Sequence, residues 1–368
     1  METTIEPKPS AASHPAGAGA ELKSQPSPRS LPHARGDSPA RRKPQLDFKS
    51  RLMFYLMAGT LHALSLIPDF ILYQLGTACG FIAYLLDRRH VKIGMKNLEF
   101  AFPDRSEAER RRILRASYVN LGRSGSECVR LGGFFYKRLK KRVRYDGLRY
   151  WSEVQKKYPG RGLLVLTAHF GNFELLPAAH AMYGYQISLV HHTQRFLAGD
   201  ALINFIRNRA GVDTLRKHSA ARAVLKALRE GLLVGIPFDQ NAKRSEAIFV
   251  PFFDEPAATS RTLARLVRKS QAAVVPVFMV REPGNRNHRS IIQDLIPLQE
   301  TADIEADIKE NTRRFVRAVE DIVRRYPEQF LWTHRRYRTR PRGMAPLYEE
   351  GRRHRDSRPK AAESTHRG

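Results

Sequence analysis

Five short apolar runs, separated by stretches with helical periodicity, occur between Leu163 and Leu298. The runs are Leu163 to Thr167, Ile187 to Val190, Leu232 to Pro237, Ala273 to Val280 and Ser290 to Leu298. Short runs of this kind are typical of strands buried on both faces, and their alternation with helices is typical of α/β sheets. The sequence therefore predicts an α/β domain, which we place at residues 93–341.

Helices are predicted on either side of this series of runs. Ser106, with Glu107 and Glu109 after it, has the pattern of a capped helix start just beyond Pro103 and Asp104. After the last run, a stripe of apolar residues at helical spacing predicts a further helix. The stripe consists of Ile304, Ile308, Phe315, Val319, Ile322 and Val323.

Two longer apolar runs precede the α/β domain. Leu52 to Pro68 and Phe70 to Leu86 contain 17 residues each and no Asp, Glu, Lys or Arg. A straight crossing of the hydrocarbon core takes about 20 apolar residues, so each run is short for a membrane span. We expect residues 49–92 to form a membrane-associated helical hairpin or one tilted span. Two ordinary core helices are the alternative, because His62, Asp69 and Gln74 interrupt the runs.

The charge balance requires an acidic partner. The chain carries 64 Lys and Arg against 36 Asp and Glu, a formal net charge of +28, which suits nucleic acid, anionic lipid or an acidic carrier protein. Residues 1–48 and 342–368 combine basic residues with few large aliphatic ones, and this composition predicts disordered basic tails. Such tails could bind an anionic membrane surface.

The two cysteines are too few for a disulfide framework, and no metal-ligand cluster is evident.

The segment Leu163 to Glu174 carries the most specific chemical signal. It reads LLVLTAHFGNFE, a buried-strand pattern that ends at His169, with Glu174 five positions later. Ligand sites of open α/β sheets gather at the carboxyl ends of strands. A carboxylate that accepts a hydrogen bond from one imidazole nitrogen leaves the other nitrogen free to accept a proton. Taken alone, the spacing also suits a structural histidine and a glutamate that only favours the helix dipole.

The His169 to Glu174 segment resembles the His, four residues, Asp or Glu (HX4E) signature of glycerolipid-type acyltransferases. Its His-x-Gly-Asn-aromatic-Glu form is typical of the bacterial lipid A late acyltransferases. The likeness covers roughly Leu52 to Pro341 and departs from the family at Asn241, where many members carry an Asp, and at Asp254 and Glu255. Further similar segments follow in the family's order: Asn97 to Pro103, Glu127, Arg209 with Gly211, Asp239 with Gln240, Val250 to Thr259, and Pro327 to Tyr337.

The resemblance implies a fold and a catalytic base. The fold would be a mixed sheet flanked by helices, as in glycerolipid acyltransferases, preceded by an apolar membrane-associated helical segment. His169 would take the proton from an acceptor hydroxyl as its oxygen attacks the thioester of the donor. Glu174 would orient His169, so that both residues are expected to be catalytic.

Four further residues are candidates for substrate binding. Arg209 could neutralise an acceptor phosphate or the oxyanion, although a surface arginine is the alternative. Asp239 could orient Gln240 or Arg209 by hydrogen bonding. Thr259, with Ser260, could cap a helix start that also binds phosphate, or could serve as a cap alone.

The resemblance also implies an O-acyltransferase of lipopolysaccharide biosynthesis at the cytoplasmic face of the bacterial inner membrane. It would move a fatty acyl chain from acyl carrier protein to a lipid A precursor, without a metal or other cofactor. One alternative is a glycolipid acceptor of the phosphatidylinositol mannoside type with acyl coenzyme A as donor. A non-catalytic protein that binds nucleic acid or membrane is a remote alternative. Nucleic acid is not expected, because the basic residues are spread over tails and helix faces.

Overall fold

The computed structural model describes residues 46–147, 153–154, 156–191, 193–216, 220–284 and 286–348. The predicted basic tails lie outside the described residues, apart from 46–48 and 342–348.

Two sheets are present in the described residues. The strands are β1 (Val143–Asp146), β2 (Leu163–Thr167), β3 (Ile187–His191), β4 (Asp213–Arg216), β5 (Leu233–Pro237), β6 (Ala247–Phe252), β7 (Glu255–Ser260), β8 (Val274–Arg281) and β9 (His288–Ile292). Seven of them form one sheet in the order β1-β9-β8-β2-β5-β3-β4. Its pairs are parallel except β8 with β9, while β6 and β7 form a separate antiparallel hairpin. The predicted α/β fold with a mixed sheet is confirmed.

Helices cover this sheet. They are α1 (Phe48–Leu64), α2 (Asp69–Leu86), α3 (Arg88–Ala101), α4 (Glu107–Gly132), α5 (Leu175–Met182), α6 (Leu197–Arg209), α7 (Ala220–Arg229), α8 (Thr262–Ser270) and α9 (Ile304–Arg325). Short 3-10 helices span Tyr136–Arg142, Arg244–Glu246 and Pro327–Gln329. The predicted start of α4 is confirmed by a complete capping box, in which Ser106 and Glu109 satisfy each other's backbone N–H groups.

The central strands contact two apolar cores, one on each face of the sheet. Along β2, Leu164 and Leu166 belong to one core, and Leu163 and Val165 belong to the other. Successive side chains of a strand point to opposite faces. Since both faces are covered, the first four positions of β2, Leu163 to Leu166, are all apolar, which is why the strand appears in the sequence as a continuous run.

The last predicted strand extends too far. The apolar run reaches Leu298, but β9 ends at Ile292. Beyond it, the backbone N–H groups of Gln293 and Ile296 still donate to the β8 carbonyl oxygens of Pro276 and Val274, without regular strand pairing. The predicted strand also begins two residues too late. His288 and Arg289 are polar, so the apolar run does not include them, but both pair with β8.

α2 is the one helix of the described residues long and apolar enough to cross a membrane. It packs on α4 through its small residues: a Cβ on Gly76 would lie 2.6 Å from the carbonyl oxygen of Gly122, and one on Gly80 would collide with that of Tyr118. The opposite face is exposed, including Phe70. α1 instead packs on α6 and α4.

Candidate active site

Two neighbouring parallel strands bring His169 and Asp239 together. Thr167 and Pro237 are aligned at the carboxyl ends of β2 and β5, and each polar residue lies two positions further along the chain. His169 Nδ1 donates a hydrogen bond to Asp239, with 2.9 Å to Oδ1 and 3.2 Å to Oδ2. This bond fixes the imidazole tautomer with Nε2 available to accept a proton.

The His169 and Asp239 pair is electrostatically coupled. The side chain of His169 is 22% exposed, whereas that of Asp239 is 1% exposed. Burial disfavours the imidazolium, but the charge of Asp239 and its hydrogen bond outweigh burial and raise the pKa of His169. Burial alone would raise the pKa of Asp239, yet the charge of His169 and the same hydrogen bond lower it.

The free edge of the His169 ring faces few groups. Among the described residues, the side-chain amide of Gln240 lies within hydrogen-bonding distance of Nε2, at 3.4 Å. The Phe173 ring meets the imidazole edge-on, with 4.9 Å between ring centroids. Phe173 therefore packs against the ring, and the Gln240 amide is the group that faces Nε2.

Glu174 is paired with arginine rather than with histidine. Arg207 of α6 donates two hydrogen bonds to its carboxylate, Nε to Oε2 at 2.9 Å and Nη2 to Oε1 at 2.6 Å. The predicted hydrogen bond from His169 to Glu174 is therefore wrong. A bidentate guanidinium is a stronger partner than a neutral imidazole, and Asp239 already accepts from Nδ1. Glu174 still acts on His169 through its charge, which favours the imidazolium.

Arg209 points away from this group. Its Nε donates to the carbonyl oxygen of Gly133 at 3.2 Å, and its guanidinium lies 5.4 Å from the centroid of the Tyr136 ring. Residues two positions apart on a helix face different directions, so Arg207 and Arg209 cannot share one site. Of the two, Arg207 is the arginine that contacts Glu174, and anion binding by Arg209 stays a prediction.

A buried ionic network supports the loop that carries His169. Glu127 of α4 accepts from Asn172 at 2.5 Å, from Arg281 at 2.6 and 2.9 Å, and from His288 at 3.0 Å. Burial alone would raise the pKa of Glu127, but His288 and Arg281 lower it to about 2. Asn172 Oδ1 also accepts at 3.0 Å from the backbone N–H of Leu175, the first residue of α5.

Gly171 fits this loop against β8. Its φ of 57° lies in the left-handed region, and a Cβ there would collide with the carbonyl oxygen of Met279. Its own carbonyl oxygen accepts from Asn120 at 3.2 Å and from Ser124 at 3.3 Å. The turn that follows His169 therefore requires glycine for both conformation and space.

Thr259 and Gln240 are connected through a buried arginine. Arg336 donates to the Thr259 hydroxyl at 2.6 Å, to the Ala258 carbonyl oxygen at 2.9 Å and to that of Gln240 at 3.4 Å. Thr259 lies within β7 and does not cap α8, so its expected capping role is wrong. Ser260 Oγ instead accepts from the N–H of Thr262 at 3.3 Å. Substrate binding by Thr259 or Gln240 stays a prediction.

Asn241, which departs from the resemblance, has a structural role in this loop. Its backbone N–H donates to His334 Nε2 at 3.0 Å, and its side chain exchanges hydrogen bonds with Thr339. Burial lowers the pKa of His334 to about 4, despite the opposing charge of Asp239. A neutral His334 can accept from the backbone N–H of Asn241. The Asn241 side-chain amide ties the Asp239 loop to Thr339 in the C-terminal segment.

Sequence alone did not identify three residues that contact the carboxylates near His169. They are Arg207, which contacts Glu174, and Arg281 and His288, which contact Glu127. Arg281 did leave a signal in the sequence, because it ends the otherwise apolar β8, whereas His288 begins β9 beside Arg289 and Ser290. In the structure Arg281 and His288 are buried, to 5% and 0% exposure. A buried charge is tolerated only with a partner, and Glu127 is that partner. Among the described residues, no group of three or more His, Cys, Asp or Glu side chains could hold a metal ion.

Similarity to known proteins extends over most of the chain. The lipid A biosynthesis lauroyltransferase of Escherichia coli (strain K12) is 29% identical over 296 residues, 80% of this chain and 94% of that protein. The palmitoleoyltransferase of the same organism is 29% identical, with 77% and 90% covered, and its myristoyltransferase is 26% identical, with 80% and 88% covered. Residues 40–339 match the bacterial lipid A biosynthesis acyltransferases, and the chain belongs to this family of enzymes.

Proposed function

We propose that this acyltransferase moves a fatty acyl chain from acyl carrier protein to a hydroxyl of a lipid A precursor, with His169 as the general base. The observation that supports the base is the hydrogen bond of 2.9 Å from His169 Nδ1 to Asp239. It leaves Nε2 as the proton acceptor, at the sheet edge where ligand sites of α/β folds gather. The proposal adds donor, acceptor and base to the family's acyl-transfer chemistry.

The reaction proceeds by direct transfer. The acceptor hydroxyl oxygen attacks the thioester carbonyl carbon while its proton passes to His169 Nε2. The tetrahedral intermediate collapses, the carbon–sulfur bond breaks, and the imidazolium returns the proton to the leaving thiolate. Asp239 holds the ring in place and stabilises the imidazolium as it forms. No covalent acyl-enzyme and no cofactor other than the acyl donor is required.

Glu174 and Arg207 have electrostatic roles in this proposal. Glu174 favours the imidazolium of His169, and Arg207 opposes it. Glu174 also holds Arg207 in a fixed orientation, so that the guanidinium can act on a developing or bound anion. The anion-binding role expected of Arg209 is assigned here to Arg207, because Arg209 contacts Gly133 instead.

The proposed location is the cytoplasmic face of the bacterial inner membrane. Acyl carrier protein is acidic and cytoplasmic, and the net charge of +28 favours its approach. The exposed apolar face of α2 supports contact with the membrane that holds the acceptor.

The test is transfer of a radiolabelled acyl group from acyl carrier protein to a lipid A precursor in detergent. Wild type should label the lipid, and His169→Ala should lose on the order of 10² to 10⁴ in rate. His90→Ala is the control, because His90 is an exposed residue whose ring contacts Asp87. A folded His169→Ala enzyme with full activity would refute the base. Label transfer only from acyl coenzyme A would show that the proposed donor is wrong. Label transfer only to a phosphatidylinositol mannoside would show that the proposed acceptor is wrong.

A further inference from the structure

The turn between α1 and α2 is fixed to the catalytic domain. Asp69, the first residue of α2, forms ion pairs with Arg130 at 2.5 Å and with Arg142. The Arg130 guanidinium also donates to the carbonyl oxygens of Ser65 and Ile67 within the turn. The turn therefore lies against the end of α4 rather than far from it.

α2 runs antiparallel to α4 along its whole length. Near its start Asp69 meets Arg130, further on Gly76 meets Gly122, and near its end Gly80 meets Tyr118. The glycine contacts are backbone to backbone, so no lipid chain fits between the two helices. Any movement of α2 into a bilayer would have to take α4 along.

α4 is unsuited to the hydrocarbon core. Level with α2 it carries Arg123, Glu127 and Arg130, and its Asn120 is bonded to the non-helical turn at Gly171. Charged groups and irregular backbone are costly at bilayer depth. α2 therefore cannot cross a membrane while it stays packed as the structure has it.

The outer face of α2 nevertheless requires an apolar partner. It exposes a contiguous set of large apolar side chains, and only 17% of the helix is buried. The exposed residues are Phe70, Ile71, Leu75, Phe81, Ile82, Leu85 and Leu86. One-sided exposure of this kind matches a helix that lies in a membrane interface.

Basic residues flank both ends of α2. At its start, Arg138 and Arg142 line a cavity of about 180 Å³ together with Pro68, Asp69 and other residues of the turn. At its end, Arg88 and Arg89 follow after Asp87. A spanning helix would place one of these clusters across the membrane, whereas a helix in the plane places both at one layer of headgroups.

We propose that α2 lies in the plane of the membrane, with its apolar face in the headgroup and acyl boundary of one anionic leaflet, and does not cross. The packing on α4 excludes a span, the apolar face selects lipid over water, and the flanking arginines select anionic headgroups. This arrangement goes beyond the proposed reaction and fixes how the enzyme is seated on its membrane.

Depth measurement with spin labels tests the proposal. Cys79 is an exposed native cysteine in the middle of α2, and it is labelled in a background with Cys128→Ser. Ile71→Cys and Leu85→Cys supply positions near the ends of α2, in a background with Cys128→Ser and Cys79→Ala. Power saturation with oxygen and a water-soluble nickel complex gives each depth in vesicles of phosphatidylethanolamine and phosphatidylglycerol. We expect three equally shallow depths. Glu230→Cys, on an exposed residue beyond α7, is the water-exposed control.

Two results would contradict the in-plane arrangement of α2. A label at Cys79 near the bilayer centre, with both ends shallow and one reachable only from the far side, would establish a span and overturn the proposal. Absence of vesicle binding by the wild type would also overturn it. Since acyl transfer is assayed separately in detergent, neither result bears on the proposed reaction.

Charge variants give an independent readout that does not depend on the cysteine background. Arg138→Gln and Arg89→Gln should each lower partitioning into anionic vesicles about fivefold. Arg229→Gln, at an exposed arginine of α7, should leave it unchanged. Equal effects at all three positions would indicate general attraction by net charge and contradict a docking face at α2.

Discussion

The charge on His169 determines the pH at which it can act as a base. Its pKa lies above the ordinary value of 6.5 because Asp239 favours the imidazolium. A general base must be neutral to accept a proton, so activity should rise with pH along an acid limb whose midpoint lies above that value. The proposed base and the local electrostatics thus predict a measurable pH dependence.

Replacing Asp239 by Asn should change this profile in a defined direction. Without the carboxylate, burial dominates and lowers the pKa of His169, so the acid limb should move to lower pH. The rate at the plateau should fall by on the order of 10² to 10⁴, because an amide no longer fixes the ring or stabilises the imidazolium. The pH dependence of kcat/KM measures both. Asp146→Asn, at a carboxylate that is 58% exposed, is the control, and an unmoved limb in Asp239→Asn would exclude the coupling.

Gly171 provides a test of the turn that positions His169. Gly171→Ala combines a left-handed backbone with a collision against Met279, and we expect a loss of roughly 2 to 6 kcal/mol in the free energy of unfolding. Gly284→Ala is a matched control, because φ is 71° there but nothing lies within 4 Å of the added Cβ. Denaturant unfolding of both variants separates strain from overpacking. Equal losses would show that the contact with Met279 is unimportant.

Sequence could locate His169 at the end of a strand, but it could not identify the partner of His169. Glu174 was the nearest carboxylate along the chain, whereas Asp239 is 70 positions away. Its proximity depends on β5 lying beside β2, and sheet order is not encoded in local periodicity. For the same reason Arg207 and Arg209 could not be separated before the direction of α6 was known.

At the scale of elements, the seam between α2 and α4 is the contact that keeps α2 on the domain. A Cβ on Gly122 would collide with the carbonyl oxygen of Gly76, whereas one on Gly125 meets nothing within 4 Å. Ala normally stabilises a helix interior relative to Gly by about 1 kcal/mol. The two positions lie in the same helix and should therefore respond with opposite signs.

We expect Gly125→Ala to stabilise the protein slightly and Gly122→Ala to destabilise it by about 1 to 3 kcal/mol through overpacking. Thermal unfolding in detergent measures the sign, and hydrogen exchange of α2 amides should increase only in Gly122→Ala. If both variants are stabilised, the helices do not pack as closely as the structure has them.

Strands differed in how well sequence predicted them. β2, β3, β5 and β8 are covered on both faces, so continuous apolar runs revealed them. β1 and β4 are edge strands of four residues with charged side chains, and the β6–β7 hairpin contains Pro251 and Pro256. Their pairing depends on neighbours rather than on their own apolar content, which leaves no local signal.

At the scale of the whole molecule, the excess of basic residues should govern which donor is used efficiently. A formal charge of +28 attracts an acidic carrier from a distance, and this attraction is screened by salt. The thioester itself is uncharged. Any preference for the carrier that arises from charge must therefore disappear as ionic strength rises.

We expect kcat/KM with acyl carrier protein as donor to fall about tenfold or more between ~0.01 M and ~0.15 M salt. With acyl-pantetheine, an uncharged thioester, kcat/KM should fall over the same salt range only to the extent that salt weakens binding of the acceptor. The ratio of the two values isolates the donor, because acceptor and membrane contributions are common to both. A ratio that does not change with salt would mean that the carrier is recognised by contacts other than charge, and the basic surface would then serve the membrane alone.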